Sequence, residues 1–291
     1  MKDSFPYHLL DRPSLWDVNE VHCLSRDALW QLRVHFVLPR YPALGACFMI
    51  DHPVLHRMVS KLAQRATLDE ADREALLSLP FRIKTFEPSS YLVREGGPTE
   101  ESTLLLEGFA YRQKLAVSGD RQILSVHVPG DFVDLEGALL NVADHNLQAR
   151  TRCEVAAIPR RALRALIDAH GRVAHALWVD TLIDGSIFRE WLLNVGRRDS
   201  KERIAHLLCE FAKRLELAGL GDENGYTLPM TQEQLADCTG LTSVHVNRTL
   251  KALEEAGLIV RSGRSVSIPN WERLRDAAGF SELYLHLDQA A

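Results

Sequence analysis

At 291 residues and 46% hydrophobic, the chain is long enough to bury a sizeable core in about two domains, and no run nears the roughly 18 consecutive apolar residues of a membrane helix. A net charge of −5 excludes coating of nucleic acid by bulk electrostatics, so any DNA contact must be concentrated in one locally basic element. The opening residues lack the apolar core of a signal peptide, and Cys23, Cys47, Cys153, Cys209 and Cys238 lie far apart; buried free thiols in a cytoplasmic protein are expected.

Residues 1–48 carry Pro6, Pro13, Pro39 and Pro42 and show only loose helical periodicity over 21–38. They read as an extension without a defined pattern, with Met49 as an alternative start. A chain beginning at Met49 is expected to keep its fold. From Pro53, Val54, Leu55, Met58, Val59 and Leu62 form one apolar helical stripe, and LDEADREALLSLP reads as a second short helix stopped by Pro80. Between Phe81 and Pro159, short apolar runs (YLV, STLLL, ILSVHV, CEVAAI) separated by glycine turns predict an all-β barrel or sandwich. Residues 160–196 return to helical periodicity and read as one long amphipathic helix. Its stripe Ala176, Val179, Ile183, Ile187 and Trp191 is the expected seam of a homodimer. Asp199 with Glu202 forms a capping box that opens a further helix and a new domain. The expected division is 1–48 extension, 49–168 β domain with flanking helices, 169–196 dimerisation helix and 197–291 C-terminal domain.

The segment TQEQLADCTGLTSVHVNRTLKALEEAGLI is the most informative. Thr231 can cap a helix with Gln234 reaching back, Ala236 allows a close helix crossing, and Gly240 stands where a tight turn needs positive φ. Leu241, Val246, Leu250 and Leu253 then mark the buried stripe of a second helix capped by Thr242 or Ser243. The other face carries Ser243, Val244, His245, Asn247, Arg248 and Lys251, with no acid among them. Arginine pairs bidentately with guanine, asparagine with adenine, and valine meets the thymine methyl, so this helix suits the major groove. Downstream, GLIVRSGRSVSI reads as two strands around Ser262-Gly263, a wing that offers Arg261 and Arg264 to phosphates. Thr242, His245 and Lys251 are further backbone candidates. The alternative is a ligand-free architectural or protein-interaction module using the same folds.

With GDFVDLEGALL in the β region, the long helix and LTSVHVNRTLKALEEAGLI, the chain resembles the Crp/Fnr family of transcription regulators over roughly residues 50–275. The resemblance implies an α+β fold: an N-terminal cyclic-nucleotide-binding-like β-roll, a dimerisation helix and a C-terminal winged helix-turn-helix. It implies a homodimer on double-stranded DNA, with RNA polymerase as a further candidate partner and no membrane. It places base reading on Ser243, Val244, Asn247 and Arg248. Val244 stands where the best-known members have an acid, so their operator sequences do not carry over.

The family's cyclic-nucleotide readers have Gly-Glu-Leu and, about ten residues on, an arginine pair. Here those positions fall on Asp134, Leu135 and Glu136, and near Ala143, Asp144 and His145. Without a guanidinium, and with Asp144 repelling phosphate, cyclic AMP is not expected as effector. Arg150 and Arg152 are read as a solvated strand edge. Cys23 and Cys47 alone cannot hold an iron-sulfur cluster. His127 and His145 are read as ordinary surface or core histidines rather than haem ligands, and His52 and His56, with Pro53 between them and no third ligand, are not read as a metal site. No GxxxxGK[ST], GxSxG or HExxH sequence appears, so no enzyme is expected and the effector stays unassigned.

Overall fold

The computed structural model describes residues 53–221 and 225–287, all within one compact unit. The expectations for residues 1–48, for Cys23 and Cys47, and for His52 lie outside the described residues.

A 3-10 turn (Pro53–Leu55) leads into α1 (His56–Ala63); Leu55 of the turn and Met58, Val59 and Leu62 of the helix are buried as the stripe requires. Helix α2 (Glu70–Leu77) starts at an Asp69–Asp72 capping box. Seven strands follow: β1 (Arg82–Phe86), β2 (Tyr91–Val93), β3 (Glu101–Glu107), β4 (Ala110–Leu115), β5 (Arg121–His127), β6 (Asn146–Ala149) and β7 (Cys153–Pro159). They form two antiparallel sheets, β1-β7-β3 and β2-β6-β4-β5, with a 3-10 turn at Leu135–Ala138. Strand β7 is central in its sheet and buried on both faces, which is why CEVAAI is a continuous apolar run. The more polar β1, β4 and β6 lack such a run and had no signal of their own.

The helical stretch 160–196 is two helices, not one. α3 (Arg160–Ala169) and α4 (Gly171–Arg197) are separated by His170, whose φ of −123° and ψ of 89° leave the helical region. The break is fixed from outside the segment: Asp72 of α2 receives Arg172 Nε at 2.5 Å and His170 Nδ1 at 3.3 Å. Helix α5 (Ser200–Leu217) begins at Asp199, whose capping box with Glu202 is formed. Then come β8 (Gly225–Thr227), α6 (Gln232–Thr239), α7 (Ser243–Glu255), β9 (Val260–Ser262), β10 (Ser265–Ser267), α8 (Trp271–Ala278) and a last 3-10 turn, Glu282–Leu285. The wing is a three-stranded sheet in the order β8-β10-β9; its third strand, β8, lies far from the hairpin in sequence.

Three apolar clusters hold these parts. One fills the β-roll (Leu105, Val133, Leu147, Val155) and one lies under α1–α3 and the start of α4 (Met58, Leu76, Leu163, Ala176). The largest joins Tyr111, Ile123 and Val126 of the β-roll to Ile183, Ile187 and Trp191 of α4 and to Leu208, Phe211, Leu235 and Leu250 of the C-terminal domain. A fully buried leucine or isoleucine contributes roughly 1.5–3 kcal/mol, so this cluster ties the β-roll and the C-terminal part strongly.

The expected dimer seam is thereby corrected. Ala176, Ile183, Ile187 and Trp191 are buried in this chain's own cores and Val179 packs against the largest of them. Trp191 also donates to Glu210 at 2.9 Å. Helical periodicity locates an apolar stripe but does not say which protein covers it.

Candidate nucleic-acid interface

Thr231 Oγ1 accepts from the Gln234 amide at 3.2 Å, and Gln234 Oε1 accepts from the Thr231 amide at 3.0 Å, closing the capping box of α6. Leu235 and Ala236 are buried. Gly240 ends the helix at φ +64°, where a side chain would be strained and a Cβ would come within 3.3 Å of Val195. The chain can therefore turn sharply into α7. Thr242 caps that helix, its hydroxyl accepting from the His245 amide at 3.3 Å. Val246, Leu250 and Leu253 are buried, and with them Thr249.

What α7 leaves outside is the polar face. Ser243, Arg248 and Lys251 are exposed, Val244 is 79% exposed, and His245 and Asn247 are half-buried. Arg248 and Lys251 make no hydrogen bond or ion pair among the described residues. Asn247 Oδ1 accepts from Gln232 Nε2 at 3.4 Å, a weak tie that orients the amide without burying it. Three of the backbone candidates, Thr242, His245 and Lys251, thus flank the four base-reading candidates on one helix. The two wing arginines differ. Arg261 is held by Glu254 at 2.6 Å and its Nε is buried, whereas Arg264 is exposed beside the turn at Gly263. Of the wing pair, Arg264 is the exposed one; Arg261 is engaged within the chain.

The sensor stretch, residues 130–152, is built differently from a phosphate seat. His145 stands where the arginine pair is expected; it is buried, its Nδ1 2.8 Å from Asp144 and its Nε2 3.4 Å from Glu136. Arg112 of β4, which sequence reasoning missed, reaches into the same place. It bonds Asp184 of α4 at 3.0 Å, Glu136 at 3.1 Å and the Val133 carbonyl at 3.0 Å. Nothing local marks it, because its partners come from distant parts of the chain. A neighbouring cavity of about 150 Å³ has Lys61, Arg214, Asp131 and Asp180 in its wall. Lys61 bridges Asp131 at 3.0 Å and Asp180 at 3.1 Å, and Arg214 meets Asp131 at 3.1 Å. Burial would raise the Asp131 carboxyl, but Lys61, His127 and Arg214 hold it well below the usual carboxylate range. These cations are already neutralised, so a cyclic phosphate would have to break existing ion pairs to bind. Arg112, Lys61 and Arg214 thus offer no unpaired charge to a cyclic phosphate. The expectation of a solvated strand edge is corrected for Arg150, which lies in a bend between β6 and β7 and is half-buried.

His127 is buried with Ser125 Oγ 3.0 Å from Nε2, and burial lowers its pKa. Among the described residues, no cluster of three or more His, Cys, Asp or Glu could hold a metal ion, and no helix is long and apolar enough to cross a membrane. Cys153, Cys209 and Cys238 are buried free thiols, and burial pushes Cys209 up to about 12.

Comparison with known proteins places these two sites in context. The cyclic nucleotide-binding domain family matches residues 83–170, and the Crp-like helix-turn-helix domain family matches residues 202–277. The transcriptional activator protein FnrL of Cereibacter sphaeroides is 29% identical over 233 residues, covering 79% of this chain and 91% of that protein. The probable transcriptional regulator flp of Lacticaseibacillus casei is 31% identical over 167 residues, 57% of this chain and 73% of that protein. Among solved structures, FixK2 from Bradyrhizobium japonicum superposes with a TM-score of 0.63 at 27% identity, covering 68% of this chain and 96% of that one.

Proposed function

The chain belongs to the Crp/Fnr family of DNA-binding transcription regulators, and we propose that it works in the cytoplasm as a homodimer on a two-fold symmetric operator. The observation that carries this reading is the exposed face of α7, on which Arg248 stands without a partner among the described residues, beside Ser243, Val244 and Asn247. Arg248 reads a guanine, Asn247 an adenine and Val244 a thymine methyl, while Thr242, His245, Lys251 and Arg264 hold phosphates. Arg261 acts indirectly, by tying the wing to Glu254 of α7.

The dimer seam is assigned to the opposite face of α4 from the one buried in the core. Trp178, Leu182, Gly185, Arg189 and Leu192 recur at intervals of four and three, the spacing of a two-helix seam, and Trp178, Leu182 and Leu192 are 67%, 56% and 68% exposed. The sensor responds to something other than a cyclic nucleotide, since Arg112, Glu136, Asp184 and His145 already occupy one another. RNA polymerase is a further partner on the ground that FnrL is named an activator. No catalytic role is assigned.

Selection of bound sequences from a random DNA pool tests the reading. The expected product is a palindrome with half-sites about 34 Å apart, one helical turn, matching a two-fold protein. Recovery without any enriched motif would instead favour the architectural module.

A further inference from the structure

Between its two sheets the β-roll encloses a second cavity, of about 320 Å³, at the lower end of the size range in which small-molecule sites fall. Alternate residues of a strand share a face, which is why Lys84 and Phe86 of β1, Glu101 and Thr103 of β3 and Val155 and Ala157 of β7 all line it. Leu92 and Val93 of β2 close it from the other sheet. Arg112, Glu136, His145 and Asp184, which fill the sensor stretch, are not in its wall. It is therefore a place apart from the one a cyclic phosphate would need.

Of the acids in this wall, Asp134 alone is buried, at 4% exposed. Both of its side-chain bonds come from Thr103, whose amide donates to Oδ1 and whose hydroxyl donates to Oδ2 at 3.2 Å. An ionised carboxylate has about four acceptor sites, so each oxygen keeps one to spare. No cation is bonded to it among the described residues, because Arg112 is taken by Glu136 at 3.1 Å and Asp184 at 3.0 Å. The other charges of the wall cancel, Lys84 and Arg94 against Glu100 and Glu101. Lys84 is paired with Glu101, and Arg94 lies over the Tyr91 ring, 4.1 Å from its centre. Asp134 is left as a buried acid with spare acceptors and no counter-cation. Burial, and next to it the repulsion of Glu136, push its pKa to about 7, in keeping with that environment.

What completes such a site is a cation that carries its own apolar body. We propose that the cavity seats a small amine of the alkyl or arylalkyl class, its ammonium on Asp134 and its apolar part against Phe86, Leu92, Val93 and Val155. An ammonium supplies donors for the spare acceptors together with the missing charge; a hydroxyl supplies a donor alone, and a carboxylate or phosphate would be repelled. The role of this seat as the sensor's effector site rests on the sensor reading above, whereas binding of the amine does not.

The test is calorimetric titration of the full chain, without DNA, by phenethylamine, with phenethyl alcohol and hydrocinnamate as its neutral and anionic counterparts. The amine should bind about tenfold or more tightly than either counterpart. In the free chain Asp134 holds a proton up to about pH 7, so amine affinity should rise by up to about tenfold per pH unit from about pH 5 to about pH 7 and level off above, while the alcohol shows no such slope. Asp134→Asn keeps an oxygen for the Thr103 amide and should lose the preference for the amine and the pH slope together. Ala157→Leu, which fills the cavity from β7 and leaves Asp134 in place, should lose amine and alcohol alike. Thermal midpoints without ligand report whether each variant is folded, and the counterpart comparison and pH slope of the parent chain judge the seat even if a variant is not. Equal binding of amine and alcohol, a flat pH profile, full amine affinity in folded Asp134→Asn, or no binding of the amine at millimolar concentration would overturn the seat. Operator affinity with and without the amine is measured separately: a bound amine that leaves it unchanged upholds the seat and rejects its role as effector site.

Discussion

Arg248 is held on α7 by the packing of Val246, Leu250 and Leu253 beneath it, so its guanidinium is carried by a rigid element while making no bond among the described residues. Arg248→Ala should lose about 1–3 kcal/mol of specific binding and relax the preference at one guanine per half-site, read by competition with single-base variants of the operator. Equal weakening of all sequences would place Arg248 on the backbone. The polar face of α7 was legible because its apolar positions recur with helical period. Asp134 was not legible in the same way. It is buried, accepts from the Thr103 amide and from Thr103 Oγ1, the latter at 3.2 Å, and burial raises its pKa to about 7. Between its ordinary value of 3.8 and about 7, the folded chain holds a proton that the unfolded chain releases. Stability from this residue therefore falls as pH rises through that window and is level above it. Asp134→Asn removes the titration and keeps the oxygen facing the Thr103 amide. Its stability relative to the parent should climb by up to about 1.4 kcal/mol per pH unit across the window. Urea unfolding at about pH 5 and about pH 8 measures this, and a pH-independent difference would reject the assignment.

Helix α4 shows how one element serves two surfaces. Leu182 and Ile183 are adjacent in sequence, yet the first is exposed and the second lies in the largest core cluster. The seam proposed on the exposed face predicts opposite phenotypes for the same chemical change. Leu182→Asp should leave the thermal midpoint of the monomer unit nearly intact and lower the mass seen by light scattering, together with operator affinity. Ile183→Asp should instead unfold the chain or lower its midpoint sharply, because it buries an unpaired charge. A Leu182→Asp variant that stays dimeric would move the interface elsewhere. The sequence pattern showed that this helix has an apolar stripe, but two stripes compete on it, and only the position of β5 and α5 decides which one is covered internally.

Across the molecule, the β-roll and the winged helix are packed as one body. Arg121 of β5 meets Asp237 of α6 at 2.6 Å, Gln122 donates to the Asp237 carbonyl at 2.7 Å, and Ile123 lies in the shared cluster beside them. The final 3-10 turn adds a second tie, with Arg65, just after α1, donating to the His286 carbonyl at 3.3 Å and Tyr284 donating to Glu210 at 2.8 Å. Arg121→Ala should loosen both sides of the seam together. Hydrogen exchange is expected to rise in the peptides covering β5 and α6 in parallel. A rise confined to one of them would mean that the two domains open independently.

The order of the parts and the helix-turn-helix were written in the sequence: the capping pairs Thr231–Gln234 and Asp199–Glu202, Gly240 at a positive φ, and the period of Val246, Leu250 and Leu253 are local facts. Hydrogen bonds over three or four residues and a repeating apolar face need no distant partner. Tertiary structure alone decided the rest. The break at His170 depends on Asp72, and Arg112 of β4 meets Asp184 of α4 only once the fold has brought strand and helix together. Charges find partners through space rather than along the chain, so a cation's role stays undefined until the fold has chosen its neighbours.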